Sequence, residues 1–372
     1  MKEHSVQIRA IESYDLPQIE AAVSTWIKDL KDQKFQRSKR VLIKPNCLGA
    51  FPLERAVTTH PVVVEALIRY FLGRNKEVWV GDSPGGSTSV QRVWDACGLS
   101  DLAKRYPIKL INLSTFPFKE RRYNGIDVKI SDALFQCGIV INVAKYKTHS
   151  LVGFTAALKN LYGLVPGMVK SEYHRLYPDT KGFARLLCAV YGIARPKISY
   201  NIIDGIVGMD GAGPSGGNPQ PFGLLFGSKS IAAIDAVASR MMGFKTRDIP
   251  YLWEALHTEG ILPSQIAIPQ SFKHHHIKAD ITTVKLSQEG LKYLPAFAAK
   301  AFKKLYYYYP VISDRCIRCG VCVRSCPVEA ISYQADGYPK VDVEKCIKCM
   351  CCHELCPIHA VDIHKSLVAR LV

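Results

Sequence analysis

Two copies of one cysteine pattern stand near the end of the chain: Cys316, Cys319, Cys322 and Cys326 before Pro327, then Cys346, Cys349, Cys352 and Cys356 before Pro357. Each reads C-x2-C-x2-C-x3-C-P, and the second follows the first at an offset of 30 residues. Thiolates are soft ligands, and this spacing is one of the runs that hold cuboidal iron–sulfur clusters. Three closely spaced thiols grip one cluster while the fourth, beside proline, reaches across to the other. The expected sets are Cys316, Cys319, Cys322 and Cys356 for one [4Fe-4S] cluster, and Cys346, Cys349, Cys352 and Cys326 for a second. A zinc knuckle accounts for one such run but poorly for two complete ones. The chemistry implied is electron transfer.

The repeat extends beyond cysteine, since Ile317, Val328, Ile331 and Tyr333 correspond to Ile347, Ile358, Val361 and Ile363. Apolar side chains there exclude water from a cluster and tune its potential together with hydrogen bonds to sulfur. They also make a core, but a small one, so cluster insertion and folding should be coupled. Cys351 sits beside Cys352 and fits neither triplet, so it is left unligated.

A second group of residues could bind and protonate a small anion. In the segment Asn142 to His149, Lys145 and Lys147 share one side of an extended chain, and His149 adds a group that titrates near neutrality. These three are the catalytic candidates. Lys44 and Asn46 follow an apolar run, and Asp82, Gly85 and Gly86 lie in a glycine-rich turn. Asp204 and Asp210 frame a second glycine-rich loop that runs to Gly217. Glycine turns let backbone amides approach an anion, while lysines add full charge. The first turn is neither a dinucleotide fingerprint nor a Walker A loop. Asp82, Asp204 and Asp210 could hold Mg²⁺ beside a phosphate, although no spacing rule requires it. His274, His275 and His276 alternate sides if extended and have no remote partner, so they are not read as a metal site.

The elements that position these groups alternate in type. Strands are expected at 40–44, 77–80, 108–112, 139–143 and 198–203, with helices near 61–71, 88–97 and 230–242. That alternation predicts a large α/β domain with a mostly parallel or mixed sheet, which binds ligands at the carboxyl ends of its strands. A small α+β module with two clusters completes the architecture. The expected division is 1–290 for the α/β domain, 291–311 for a packed, helical and tyrosine-rich connector, and 312–372 for the cluster module.

The chain has 372 residues, 13 cysteines and a formal charge of +17. Five cysteines lie outside the double run, Cys47, Cys97, Cys137, Cys188 and Cys351, an odd and scattered set that argues against a disulfide framework. Two oxidised clusters, each about −2 with their thiolates, would still leave the protein strongly basic. Such a field suits an acidic electron-carrier protein or redox enzyme, or an anionic small molecule. No nucleic-acid-binding motif is evident, so no specific nucleic acid is expected. There is no apolar run of signal or membrane-spanning length, so a cytoplasmic location and no transmembrane segment are expected.

The segments Val41–Asn46, Val80–Gly85, Asn142–His149 and Asn201–Gly208, with Ala233–Ala238 and Met242-Gly243, resemble the DUF362 family over about residues 38–285. The cysteine region is similar to bacterial two-cluster ferredoxins, a module that several DUF362 proteins carry at the same end. The family resemblance implies no particular reaction. The reading preferred on sequence is an iron–sulfur oxidoreductase that delivers single electrons to an anionic molecule bound in the large domain. The alternatives are an electron-transfer subunit serving a separate catalyst and a redox-sensing regulatory protein.

Overall fold

The structure is a computed structural model that describes residues 4–28, 33–86, 89–275, 277–281 and 308–366. Seven strands form the path of the main sheet, in the order Gln7–Ala10, Leu224–Ser228, Tyr200–Asp210, Ile139–His149, Arg40–Lys44, Glu77–Asp82 and Ile108–Asn112. The last five run parallel, and the first two add an antiparallel edge. Short strands at Gly153–Thr155 and Asn218–Gln220 extend the ends of the two long ones. The sheet is therefore mixed and mostly parallel.

Its central strands are almost wholly buried because both faces are covered. Along Arg40–Lys44, Val41 and Ile43 join one core while Leu42 joins the other. Helices Leu16–Ile27 and Pro61–Leu72 close the first face through Ile19, Val23, Val63 and Leu67. Thr180–Ala194 and Ile231–Met241 close the second through Leu186, Val190, Ile234 and Val237. Ser230 caps the latter helix by accepting the Ala233 N–H at 3.2 Å. The edge strands Gln7–Ala10 and Leu224–Ser228 have no counterpart in the sequence reading.

Strand order reverses beside Arg40–Lys44. Glu77–Asp82 and Ile108–Asn112 lie on one side of it, and Ile139–His149 and Tyr200–Asp210 on the other. Such a switch point splays the loops at the carboxyl ends and opens a crevice there. Lys44, Asn46, Lys145 and Lys147 are placed at this crevice by topology.

The cysteine region has two antiparallel strand pairs, Tyr308–Ile312 with Val361–Lys365 and Ile331–Tyr333 with Pro339–Val341. Two short helices, Val321–Arg324 and Cys351–Leu355, carry the third cysteine of each run or its immediate neighbour. The expected connector falls outside the described residues up to 307. From Tyr308 on the chain is strand, with Tyr308 and Tyr309 paired to Lys365 and His364. Tyrosine suits a pleated surface, and the distant partner strand decides.

Candidate functional site

The backbone of the cysteine region repeats as its sequence does. Arg318, Gly320 and Glu329 have positive φ, and so do Lys348, Met350 and His359. These left-handed turns aim backbone N–H groups at sulfur. The Arg318 and Ala330 amides donate to Cys316 and Cys326 Sγ at 3.3 and 3.2 Å, and the Lys348 and Ala360 amides to Cys346 and Cys356 Sγ at 3.4 and 3.1 Å. Cys316, Cys319, Cys322 and Cys356 line one cavity of about 310 Å³. Cys326, Cys346, Cys349 and Cys352 line another of about 320 Å³, with Cys351 at its edge. Among the described residues no three His, Cys, Asp or Glu side chains converge on the position of a single ion. The thiols instead surround a volume, which fits a multinuclear cluster better than one zinc ion.

A larger pocket of about 810 Å³ opens at the crevice, roofed by the Cys351–Leu355 helix. Lys145, Lys147, Lys159 and Lys170 supply its cationic side with His174 beside them, and Cys351 and Glu354 face them from the roof. Lys145 and Lys147 alternate with Tyr146, which points into the core and donates to the Ala238 carbonyl at 2.7 Å. Lys147 Nζ is held by Asn46 Oδ1 at 2.9 Å and the Val57 carbonyl at 2.7 Å. Burial, then Lys159 and Lys145 nearby, pushes its pKa down to about 7. Burial brings Lys170 to about 7 as well. His174 is held near 3 by burial, Lys159 and Lys170, so its imidazole is neutral.

The helix Ala157–Asn160 brings Lys159 to this wall. Asp235, at the far side of the core, accepts the Ala157 and Leu158 N–H groups at 2.8 and 2.9 Å and so caps the helix. Burial raises the Asp235 carboxyl to about 7 despite these two bonds. Asn142 joins the assembly by donating to Asn201 Oδ1 and to the Ala157 carbonyl, both at 2.9 Å. Lys159 makes no hydrogen bond or ion pair among the described residues, and burial lowers its pKa.

Several sequence candidates are spent on structure. Lys44 forms a buried ion pair with Asp82 at 2.8 Å, and Asp82 also accepts the Cys47 N–H at 2.7 Å. A Cβ at Gly163 would collide with both partners, which explains glycine there. Lys145 pairs with Asp204 at 2.8 Å and donates to Tyr14 Oη at 2.8 Å, with Tyr14 stacked on His60. Asp210 stands outside the pocket and accepts the Asp280 N–H at 2.8 Å. The three carboxylates are thus not brought together, and they do not fit a shared Mg²⁺. Asp82 ends strand Glu77–Asp82, while Asp204 and Asp210 stand six residues apart on Tyr200–Asp210, and each has its own compensating donor.

His149 lies behind the wall, fully buried. Its Nδ1 accepts the Leu151 N–H at 3.1 Å, and its Nε2 is 3.4 Å from Glu354 Oε1. Burial, with Lys159 and Lys147 close by, holds its pKa well below the ordinary value. The exposed His274 and His275 are in no strand, and His276 lies outside the described residues.

The glycine-rich turns serve close packing of the module. Gly85 and Gly86 line the pocket, yet a Cβ on Gly85 would lie 2.7 Å from Leu355 Cδ2, and one on Gly86 2.7 Å from Ser325 Oγ. In the second loop, a Cβ on Gly216 would lie 2.9 Å from His353 Nε2, and Ser215 Oγ donates to the Glu354 carbonyl at 2.9 Å. Both loops therefore grip the helix that carries Cys352. Lys170, His174 and Glu354 escaped the sequence reading. The i,i+4 spacing of Lys170 and His174 was the available signal, while nothing local marks Glu354.

These features define an α/β protein with an attached iron–sulfur module, and the comparisons agree. DUF362, a domain of unknown function, matches residues 41–240, and the 4Fe-4S binding domain matches residues 309–332. The chain belongs to the DUF362 family. It binds a [4Fe-4S] cluster in a domain of the electron-transfer type that works with redox partners. It is 28% identical over 249 residues to the thylakoid-associated protein sll1697 of Synechocystis sp., covering 66% of this chain and 77% of that one. The lactate racemase apoprotein from Thermoanaerobacterium thermosaccharolyticum aligns with a TM-score of 0.36 and 14% identity, over 56% of this chain and 52% of that one. The chain thus spans about half the length of that protein. No helix among the described residues is long and apolar enough to cross a membrane.

Proposed function

We propose that the protein is an iron–sulfur oxidoreductase that reduces an anionic small molecule held in the pocket between the α/β unit and the cysteine module. In this reading Cys316, Cys319, Cys322 and Cys356 hold one cluster, and Cys326, Cys346, Cys349 and Cys352 hold a second. The clusters, when bound, supply single electrons at low potential. The observation that carries the reading is that Cys351 borders both the pocket and the second thiol cavity. A bound molecule would therefore sit one side chain from an electron source, with no water layer between.

The lysines would do the rest. Lys159, without a hydrogen bond or ion pair among the described residues, and Lys170 attract and orient the anion, while Lys145 is fixed by Asp204 and adds field. Lys147 and Lys170, both near a pKa of 7, can each hold or release a proton at neutral pH. His149 is not a proton donor here, because burial keeps it neutral. A two-electron reduction would take two electrons from a redox partner, one at a time, and protons from these lysines.

The test is anaerobic purification, iron and sulfide determination, identification of any co-purifying anion, and turnover of that anion with a chemical reductant. Eight irons per chain and reductant-dependent turnover, lost in Cys352→Ala, are expected. Turnover that persists without iron or reductant would sink the proposal.

A further inference from the structure

The two thiol cavities occupy unlike surroundings although they arise from one repeat. The cavity of Cys326, Cys346, Cys349 and Cys352 shares Cys351 with the pocket and backs onto the α/β unit. The cavity of Cys316, Cys319, Cys322 and Cys356 shares no residue with the pocket. Its rim is open: Cys319 is exposed, Ile317 is 62% exposed and Ile358 is 38% exposed. In the repeat, Ile317 corresponds to Ile347, which is half-buried, and Arg318 to Lys348, also half-buried.

An exposed isoleucine over an electron-carrying site is costly to leave in water, and Arg318, Arg324 and Tyr333 belong to the same stretch of surface. Tyr333 is 48% exposed and reaches Gly320 with its hydroxyl, next to the Arg324 guanidinium. Arg318 lies over the Tyr338 ring at 3.9 Å, which holds the guanidinium at the surface. An apolar centre ringed by tyrosine and arginine is the composition of a protein interface. Its charge, on a chain of formal charge +17, selects an acidic partner and speeds its approach.

We propose that the face formed by Ile317, Ile358, Arg318, Arg324 and Tyr333 is the docking site of an acidic electron-carrier protein, and that electrons pass from there inward to the pocket. Each encounter oxidises the carrier by one electron and reduces this protein by one. The direction rests on the reading above only in taking the pocket as the destination. The docking face itself does not.

The repeat supplies its own control. The holoprotein is mixed under anaerobic stopped-flow conditions with reduced flavodoxin, an acidic one-electron carrier, and bleaching of the iron–sulfur absorbance is followed without any pocket ligand. Arg318→Glu should slow reduction at least tenfold at low salt, and the difference should shrink as ionic strength rises. Lys348→Glu, at the equivalent position of the other half, should stay within twofold of the parent. Both variants should keep their iron content and their rate with dithionite, which needs no docking. Equal slowing by the two variants, or none by Arg318→Glu, overturns the proposal. Normal docking with no turnover of any anion would instead overturn the oxidoreductase reading and leave this face standing.

Discussion

Lys147 and Lys170 are the residues whose chemistry depends most on where they are buried. Both have their pKa brought down to about 7, chiefly by burial, with Lys44, Lys145 and Lys159 adding to it and Asp82 and Glu354 opposing it. An anion gains most when both are charged, so its affinity should be highest below pH 7 and fall as the pH rises through it. Sulfate is the suitable probe, because its own charge is constant over this range. By calorimetry, log Kd should rise with a slope approaching about two above pH 7, and Lys170→Met should reduce that slope by about one. A flat profile would mean that neither lysine meets the anion. The same depression has a consequence without ligand. The unfolded chain binds the extra protons between about pH 7 and the ordinary lysine value, so the ligand-free fold should gain stability as the pH rises across that window.

Among the elements, the turn at Gly85 and Gly86 matters because it touches both halves of the site. Gly86 has φ of +69°, and a Cβ there would also meet Leu355 Cδ1 at 2.8 Å. A β-branched residue is disfavoured in that conformation by about 1–2 kcal/mol before any collision is counted. Gly86→Val should push the Cys351–Leu355 helix away from the pocket. The expected result is at least a tenfold loss of sulfate affinity with iron content near that of the parent protein. Unchanged affinity would show that the loop does not set the roof. These glycines were legible in the sequence as a feature but not in their use. Read locally, Gly85, Gly86 and Gly216 suit an anion cradle. The atoms they make room for come from Ser325, His353 and Leu355, more than 130 residues away along the chain.

At the scale of the whole molecule, the two parts differ in what holds them together. The α/β unit has an extensive apolar core on each face of its sheet, whereas the buried core of the cysteine module is Cys322, Ile331, Cys352, Cys356, Ala360 and Val361. Half of that small core is thiol, so removing iron should unfold the module and spare the rest. Hydrogen exchange after anaerobic chelation should show amides of 308–366 losing protection while strand Ile139–His149 keeps it. Simultaneous loss in both would mean that the sheet depends on the module. The pocket should lose its sulfate affinity in the same step, since its roof belongs to the module.

The chain's amino-acid order alone determined the parts whose geometry is local. Cysteine spacing specified cluster chemistry because each triplet spans only a few residues. Apolar runs alternating with helical patterns specified a mostly parallel α/β sheet, and the DUF362 segments marked its strand ends. Tertiary structure decided what those ends do. It gave Lys44 to Asp82 and Lys145 to Asp204, buried His149, and left Lys159 facing the pocket. It also brought in Lys170, His174 and Glu354. The reason is physical: charge pairing and burial depend on which strand ends meet across the sheet. That is fixed by long-range pairing such as Lys145 with Asp204, not by neighbours in sequence.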